Sequence, residues 1–321
     1  MNRADRATEA PVEGDALVEA ERILRQSCGP RLRAGFPLAP LTSFRIGGPA
    51  ALYLEADAAG DLAAAGEAIA RTGVPWTVIG KGSNVLVADG GFDGLVLRLG
   101  KGFRWAAREG DRLHAGGSMP LPALAGVALA HDLTGLEFGV AIPASLGGSV
   151  RMNAGAHGRS MQDVLETIDL YDLNERSKVS MPAERAGFRY RRSTMPRGTL
   201  VVGAVVGLAR GERGRIRELM DEARSWRRAT QPLAEANCGS VFKNPPGDHA
   251  ARLVDAAGLK GERVGGAEVS AKHANFIVAA PGATAADVRA LIDRVRGRVR
   301  DRFGVELETE VEFVGGFGRD R

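Results

Sequence analysis

Five stretches hold residue types able to do chemistry. The first runs Val78-Ile79-Gly80-Lys81-Gly82-Ser83-Asn84-Val85. One strand ends there in a tight turn and a second begins. Backbone N–H groups converge in such a turn and no Cβ blocks approach, which suits a pyrophosphate; Ser83 and Asn84 add side-chain donors. Taken in isolation, a glycine-containing hairpin with an Asx-type turn explains the loop without a ligand. The second stretch, Ala141 to Gly158, holds Ile142-Pro143-Ala144-Ser145, Gly147-Gly148 and Asn153-Ala154-Gly155. It is too glycine-rich for a stable helix and too apolar for an ordinary surface loop. Backbone packed closely under a planar ligand is one account of it. His157 within it reads as a surface or hydrogen-bonded histidine.

The third stretch, Phe188-Arg189-Tyr190-Arg191-Arg192-Ser193, is either a solvated, charge-rich turn or an arginine fork for a carboxylate. The fourth is Asn237-Cys238-Gly239-Ser240-Val241-Phe242-Lys243-Asn244-Pro245-Pro246. No base adjoins Ser240, so an activated nucleophile is not indicated and a donor role stays open. Cys238 reads as a small packed residue. In the fifth, Val305, Leu307, Thr309, Val311 and Phe313 alternate with Glu306, Glu308, Glu310 and Glu312. A strand with a solvated acidic face accounts for this, and periodicity does not tell one glutamate from the next.

These residues need elements to carry them. Residues 1–14 read as a mobile tail. Asp15 then caps a helix to about Ser27 with Leu17, Ile23 and Leu24 inward. Strands are expected at 50–56, 74–80, 94–99, 164–173 and 199–208, and helices at 61–73 and 121–133. An amphipathic helix over 211–229 turns Ile216, Leu219, Met220, Ala223 and Trp226 to one face and marks a domain boundary. Beyond it, a helix at 248–257 and strands at 266–270 and 275–279 follow. Thr284 and Asp287 form a capping box for a helix with Val288, Leu291, Ile292, Val295 and Val299 inward, ended by Gly304. The alternation over 305–314 predicts one half-buried strand.

Composition removes whole classes of function. The 321 residues carry 43 basic and 39 acidic side chains spread along the chain, without the basic stripe of a nucleic-acid binder. The two cysteines and the scattered histidines (114, 131, 157, 249, 273) offer no disulfide scaffold and no metal site. The longest apolar stretches are about ten residues, short of the roughly 18 that a membrane span needs. A soluble, cytoplasmic protein is expected. The third glycine of a dinucleotide fingerprint is missing at Val85, and no phosphate-binding GxxxxGK[ST] motif occurs.

Taken in order, nine motifs resemble one family: TSFRIGGPA, GKGSNVLVADGGFDG, GLEFGVAIPASLGGSVRMNAGAHG, YRRS, QPL, GSVFKNP, GLKG, KHANFIV and LETEV, over about residues 41–314. That family is the UDP-N-acetylenolpyruvoylglucosamine reductases. The resemblance implies an α+β chain: a vanillyl-alcohol-oxidase/PCMH-type FAD-binding fold of two subdomains over 41–210, a connecting helix at 211–230 and a substrate-binding domain over 231–321, after an N-terminal segment at 1–40. It implies non-covalent FAD, NADPH as co-substrate and UDP-N-acetylglucosamine enolpyruvate as the molecule reduced. No nucleic acid, membrane or metal is implied, and a monomer is expected.

By motif match, Arg45, Gly80, Lys81, Gly82, Ser83, Asn84, Ile142, Pro143, Ser145, Gly147, Gly148, Asn153, Ala154 and Gly155 would bind FAD. Tyr190, Gln231, Lys243, Asn244 and His273 would bind substrate. Arg191 and Glu310 would stabilise the enolate-like intermediate, and Ser240 would protonate C2. Two departures from the family pattern stand out: Ala144 replaces a glycine and Arg192 replaces an acid. Only 48 residues separate Arg191 from Ser240, which points to the shorter subclass, without an inserted substrate loop. The alternatives are a flavin oxidase or dehydrogenase of the same fold that oxidises a sugar or alcohol, in which His157 is the nearest residue for covalent attachment, a non-catalytic flavin- or nucleotide-binding regulator and, more distantly, a basic RNA-binding protein.

Overall fold

The computed structural model describes residues 14–317, so the tail read over 1–14 lies, but for Gly14, outside the described residues. The chain divides into two compact units, each assembled from separate stretches. One takes the residues up to Ala34, Leu52–Lys81 and Gly94–Arg227; the other takes Gly35–Ala51, Gly82–Asp93 and the residues from Arg228 on.

In the first unit, helices α1 (Gly14–Cys28) and α2 (Ala59–Thr72) share a core with a four-stranded sheet. Its order is Leu32–Pro37, Pro49–Ala56, Phe92–Leu99, Trp76–Val78. The apolar positions of α1 bury Ala20, Ile23 and Leu24 in one cluster with Leu52, Leu54, Leu95 and Leu97. α2 stops where Gly73 takes φ 67°, a conformation that costs glycine little.

A second sheet of five antiparallel strands runs Ser177–Pro182, Leu165–Asp172, Thr199–Gly207, Arg112–Gly116, Ala106–Glu109. Helices α3 (Leu121–Ala130), α4 (Leu146–Arg151) and α5 (Arg213–Thr230) contribute to its core. Helix propensity argues against α4, yet it forms. Leu146 and Val150 are fully buried, and Ser145 caps the helix by accepting from the Gly148 N–H at 3.4 Å. Packing of two large apolar side chains outweighs a glycine penalty of about 1 kcal/mol per residue. α5 buries Ile216, Met220 and Ala223 as expected. Leu219 is only half-buried, and Trp226 is 51% exposed, its ring packing edge-on against His157 at 5.2 Å.

In the second unit, α6 (Ala250–Ala256) and α7 (Ala285–Phe303) share a core with a three-stranded antiparallel sheet, Arg263–Val264, Ala267–Val269 and Ile277–Ala279. All five apolar positions expected inward on α7 are buried. The capping box is present: Thr284 Oγ1 accepts from the Asp287 N–H at 3.1 Å, and the Asp287 carboxylate accepts from the Thr284 N–H at 3.0 Å. Asp89 doubles the cap, accepting from the N–H groups of Ala285 and Ala286 at 2.7 and 2.9 Å. Part of the long GKGSN…ADGG motif therefore serves a helix terminus far along the chain.

Two expectations are corrected. The Gly80–Asn84 loop is not a hairpin turn. The strand before it pairs in parallel with Phe92–Leu99, whereas the strand after it, Val85–Val87, pairs in parallel with Glu312–Val314. The single strand expected over 305–314 shrinks to Glu312–Val314. Earlier residues meet their neighbour through an isolated bridge, Phe242 to Thr309, because Pro245 and Pro246 soon end the segment opposite. Among the described residues, no helix is long and apolar enough to cross a membrane.

Candidate active site

The first unit holds a cavity of about 290 Å³ walled largely by backbone. Gly80 and Lys81 form one edge, Leu99–Lys101 another, and Gly117, Ser145, Gly147, Gly148 and Val201 close it. Glycine is required where these segments cross. A Cβ on Gly117 would stand 2.2 Å from the Val201 carbonyl, and one on Gly147 would stand 2.8 Å from the same oxygen. Lys81, Arg98, Lys101, Arg104 and Arg151 face a single carboxylate, Glu55, around this wall. Lys81, Lys101, Arg104 and Arg151 make no ion pair among the described residues. Arg151 is the most enclosed of them: burial pushes its guanidinium below its ordinary pKa. Among the described residues, its N–H groups bond to the Thr199 carbonyl and hydroxyl and the Met195 carbonyl.

This wall fits the diphosphate of a flavin dinucleotide, since it combines uncompensated positive charge with close backbone approach. The volume encloses part of such a molecule. Sequence reasoning missed Arg151, although a signal was present: no acidic residue lies between Glu137 and Asp163 to pair with it.

Of the FAD residues expected in this unit, Gly80, Lys81, Ser145, Gly147 and Gly148 line the cavity. Ile142, Pro143, Asn153, Ala154 and Gly155 do not. Asn153 is 3% exposed and its carboxamide is engaged within the protein. It donates to Gln162 Oε1 and the Arg189 carbonyl, both at 3.0 Å, and accepts from the Gln162 N–H at 3.0 Å. It thus ties the glycine-rich stretch to the arginine turn. There the Arg189 and Arg192 backbones bond to each other at 2.9 and 3.1 Å, and Arg191 takes φ 53°. Five other non-glycine residues share this conformation among the described residues, including Asn153 and His157 of the glycine-rich stretch. Tyr190 is 56% exposed beside Arg191. Ala144 does not have positive φ, so its Cβ is tolerated, and Arg192 is exposed. His157 does not line the cavity.

In the second unit, Ser240 and Glu310 lie on neighbouring segments. Ser240 follows Gly239, whose φ of 81° turns the chain, and bridges to Phe276. The Glu310 N–H donates to the Val241 carbonyl at 2.8 Å. Glu310 is half-buried, whereas Glu306, Glu308 and Glu312 are exposed; burial separates the glutamate that periodicity left among its neighbours. The Cys238 thiol is buried, which with the nearby Glu310 charge pushes its pKa up, so it packs as a protonated, inert group.

Lys243 reaches Glu308 Oε1 at 2.5 Å, and Asn244 Oδ1 accepts from the Ala250 N–H at 3.0 Å. His273 Nδ1 accepts from the Asn275 N–H at 3.2 Å. Gln231 is half-buried at the start of the region. Gly82 is needed for packing, since a Cβ there would meet the Leu41 carbonyl at 2.0 Å. Ser83 follows it, and the Asn84 amide is bonded to the Glu310 carbonyl at 3.0 Å. Arg45 lines a different cavity, of about 640 Å³, with Glu235, Arg263 and Glu268.

Comparison with known proteins separates the readings that share an FAD domain. An FAD binding domain model matches residues 50–175, and the model for the C-terminal domain of UDP-N-acetylenolpyruvoylglucosamine reductase matches residues 231–314. A reductase of that name from Anaeromyxobacter sp. (strain Fw109-5) is 45% identical over 311 residues, covering 97% of this chain and 96% of its own. The chain belongs to the UDP-N-acetylenolpyruvoylglucosamine reductase family. The crystal structure of the Thermus caldophilus reductase superposes with a TM-score of 0.76 at 34% identity, covering 88% of this chain and 98% of that one. The fold class follows: a PCMH-type FAD-binding domain with the family's C-terminal domain, mixed α+β. The grass-pollen glucose dehydrogenase Phl p 4.0202, at 14% identity and a TM-score of 0.50, covers 62% of this chain and 44% of its own and shares the fold alone.

Proposed function

We propose that Arg191, Ser240 and Glu310 carry the chemistry of an FAD-dependent UDP-N-acetylmuramate dehydrogenase in this chain. Its reaction reduces UDP-N-acetylglucosamine enolpyruvate with NADPH, a step of peptidoglycan precursor synthesis, and its place is the cytoplasm. Bound FAD supplies the relay that passes a hydride from NADPH to the enolpyruvyl C3.

The rest falls to the protein. Hydride addition at C3 leaves negative charge on C2 and the adjoining carboxylate. Arg191 offers positive charge to that carboxylate. Glu310 shares in holding the enolate-like species as an acid or hydrogen-bond partner. The Ser240 hydroxyl gives its proton to C2; an alcohol is a weak acid, but a carbanion-like carbon is basic enough to take it. Tyr190, Gln231, Lys243, Asn244 and His273 hold the UDP-sugar. Arg45, Ser83, Ile142, Pro143, Asn153, Ala154 and Gly155 join the cavity residues in keeping FAD in place without a covalent bond. With only 48 residues between Arg191 and Ser240, the chain falls in the shorter subclass, without an inserted substrate loop.

The observation that carries this reading is the pairing of Ser240 and Glu310 on adjoining segments, through the 2.8 Å bond from the Glu310 N–H to the Val241 carbonyl. One anaerobic titration tests it. NADPH should bleach the flavin, and UDP-N-acetylglucosamine enolpyruvate should restore its colour. Ser240→Ala should slow the return by about 10²- to 10⁴-fold and leave bleaching unchanged. Bleaching without recovery in the wild-type protein sinks the reading.

A further inference from the structure

The segment 240–243 that carries Ser240 is not part of a regular sheet. Its strand-like pairing is limited to single bridges, to Phe276 on one side and Thr309 on the other; on the Thr309 side the Lys243 N–H donates to the Glu308 carbonyl at 2.9 Å and the Val241 carbonyl accepts from the Glu310 N–H at 2.8 Å. Main-chain groups in such a segment need partners that a continuous ladder would otherwise supply. Asn275 provides three of them. Its own carbonyl accepts from the Val241 N–H at 2.9 Å. Its side-chain oxygen accepts from the Phe242 N–H at 2.9 Å, and its side-chain nitrogen donates to the Phe242 carbonyl at 2.8 Å. A carboxamide has the donor and acceptor of a peptide group, so Asn275 stands in for a missing strand residue. It is 4% exposed, between Phe242 at 2% and Phe276 at 2%. A buried amide satisfied on both atoms has one geometry and little freedom to leave it.

We infer that Asn275 is a positioning residue for Ser240: it fixes the backbone two residues beyond the serine and so aims the hydroxyl. This rests on the reading of Ser240 as the proton donor. An alternative is that Asn275 stabilises the second unit without bearing on the reaction. The two differ in what happens once the hydroxyl is gone.

The test uses the FAD-loaded protein and stopped-flow absorbance of both half-reactions, in Asn275→Ala, Ser240→Ala and the double variant. Asn275→Ala should leave NADPH-driven bleaching within about twofold and slow flavin recovery at least about tenfold, because small misplacements of a reacting group are costly. In the Ser240→Ala background, Asn275→Ala should add no further loss, since groups acting as a unit are non-additive. Equal slowing with and without the serine overturns the inference, as does equal slowing of both half-reactions or wild-type recovery. Should Asn275→Ala not fold, Asn275→Asp takes its place: it keeps the acceptor for the Phe242 N–H, loses the donor to the Phe242 carbonyl, and is judged by the same pattern. If Ser240→Ala alone recovers normally, the serine assignment itself fails, a result distinct from failure of the Asn275 role.

Discussion

Asn84 donates its side-chain amide to the main-chain carbonyl of Glu310 at 3.0 Å, across 226 positions of sequence. The Glu312 N–H returns a bond to the Asn84 carbonyl at 3.0 Å. A residue expected to bind cofactor therefore brackets the segment of an expected catalytic glutamate. Asn84→Ala should keep FAD affinity within about threefold, since its side chain is engaged elsewhere. It should slow flavin recovery by substrate and cost about 1 kcal/mol of stability, the net worth of one hydrogen bond. Fluorescence titration of FAD, stopped flow and urea unfolding give the three readouts. A large loss of FAD affinity with normal recovery would return Asn84 to the cofactor.

Glu310 and Glu308 differ by two positions yet have different expected outcomes. Glu310 is half-buried beside the Ser240 segment, and Glu308 has 73% of its side chain exposed in its ion pair with Lys243. Glu310→Gln should lower the rate of flavin recovery by about 10- to 100-fold, as the loss of a group facing developing charge does. Glu308→Gln should cost well under 1 kcal/mol of stability, because solvent screens an exposed pair. Its effect should fall on the KM for the UDP-sugar, through Lys243. Steady-state kinetics on both variants check this, and a kcat loss confined to Glu308→Gln would reverse the assignment.

Arg151 should contribute to FAD affinity through charge. Charge-assisted hydrogen bonds are worth about 1.5–3 kcal/mol, so Arg151→Met should weaken FAD binding by roughly 10- to 100-fold. Arg151→Lys should recover part of that, and added salt should weaken wild type more than Arg151→Met. Equilibrium dialysis with FAD at two salt concentrations reads all of this. An unchanged affinity in Arg151→Met would mean that the guanidinium serves only the Thr199 and Met195 carbonyls.

Which features were legible from the sequence follows from whether they are local. α7 was readable down to its capping box and its Gly304 stop, because cap chemistry and 3.6-residue periodicity lie within a few positions of each other. Gly147 at the cavity wall was readable because close backbone approach demands glycine: a Cβ there would stand 2.8 Å from the Val201 carbonyl. α4 was not, since its support comes from burial of Leu146 and Val150. The partners of Asp89, Asn84 and Asn275 were not either: each bonds to main chain that a side-chain pattern does not specify. The strand over 305–314 had the right alternation and the wrong length, because the neighbouring segment sets how far pairing extends.

His273 gives a pH prediction whose sign can be worked out. Burial, with Lys260 adding positive charge nearby, holds its pKa below the ordinary value of 6.5 despite an opposing backbone hydrogen bond. The ring packs edge-on against Phe276 at 4.6 Å, and its Nδ1 accepts from the Asn275 N–H, so the neutral ring carries its proton on Nε2. As pH falls below 6.5, the unfolded chain takes up the proton first, and folding loses stability. The contribution is fully present above that value and disappears downward through the lowered native pKa, with a slope of at most about 1.4 kcal/mol per pH unit. His273→Asn keeps an acceptor for the Asn275 N–H and removes the titration. Urea midpoints at about pH 7.5, 6.5 and 5.5 should fall more steeply for wild type than for His273→Asn. Parallel decline of the two proteins would show that protonation of His273 does not oppose the fold.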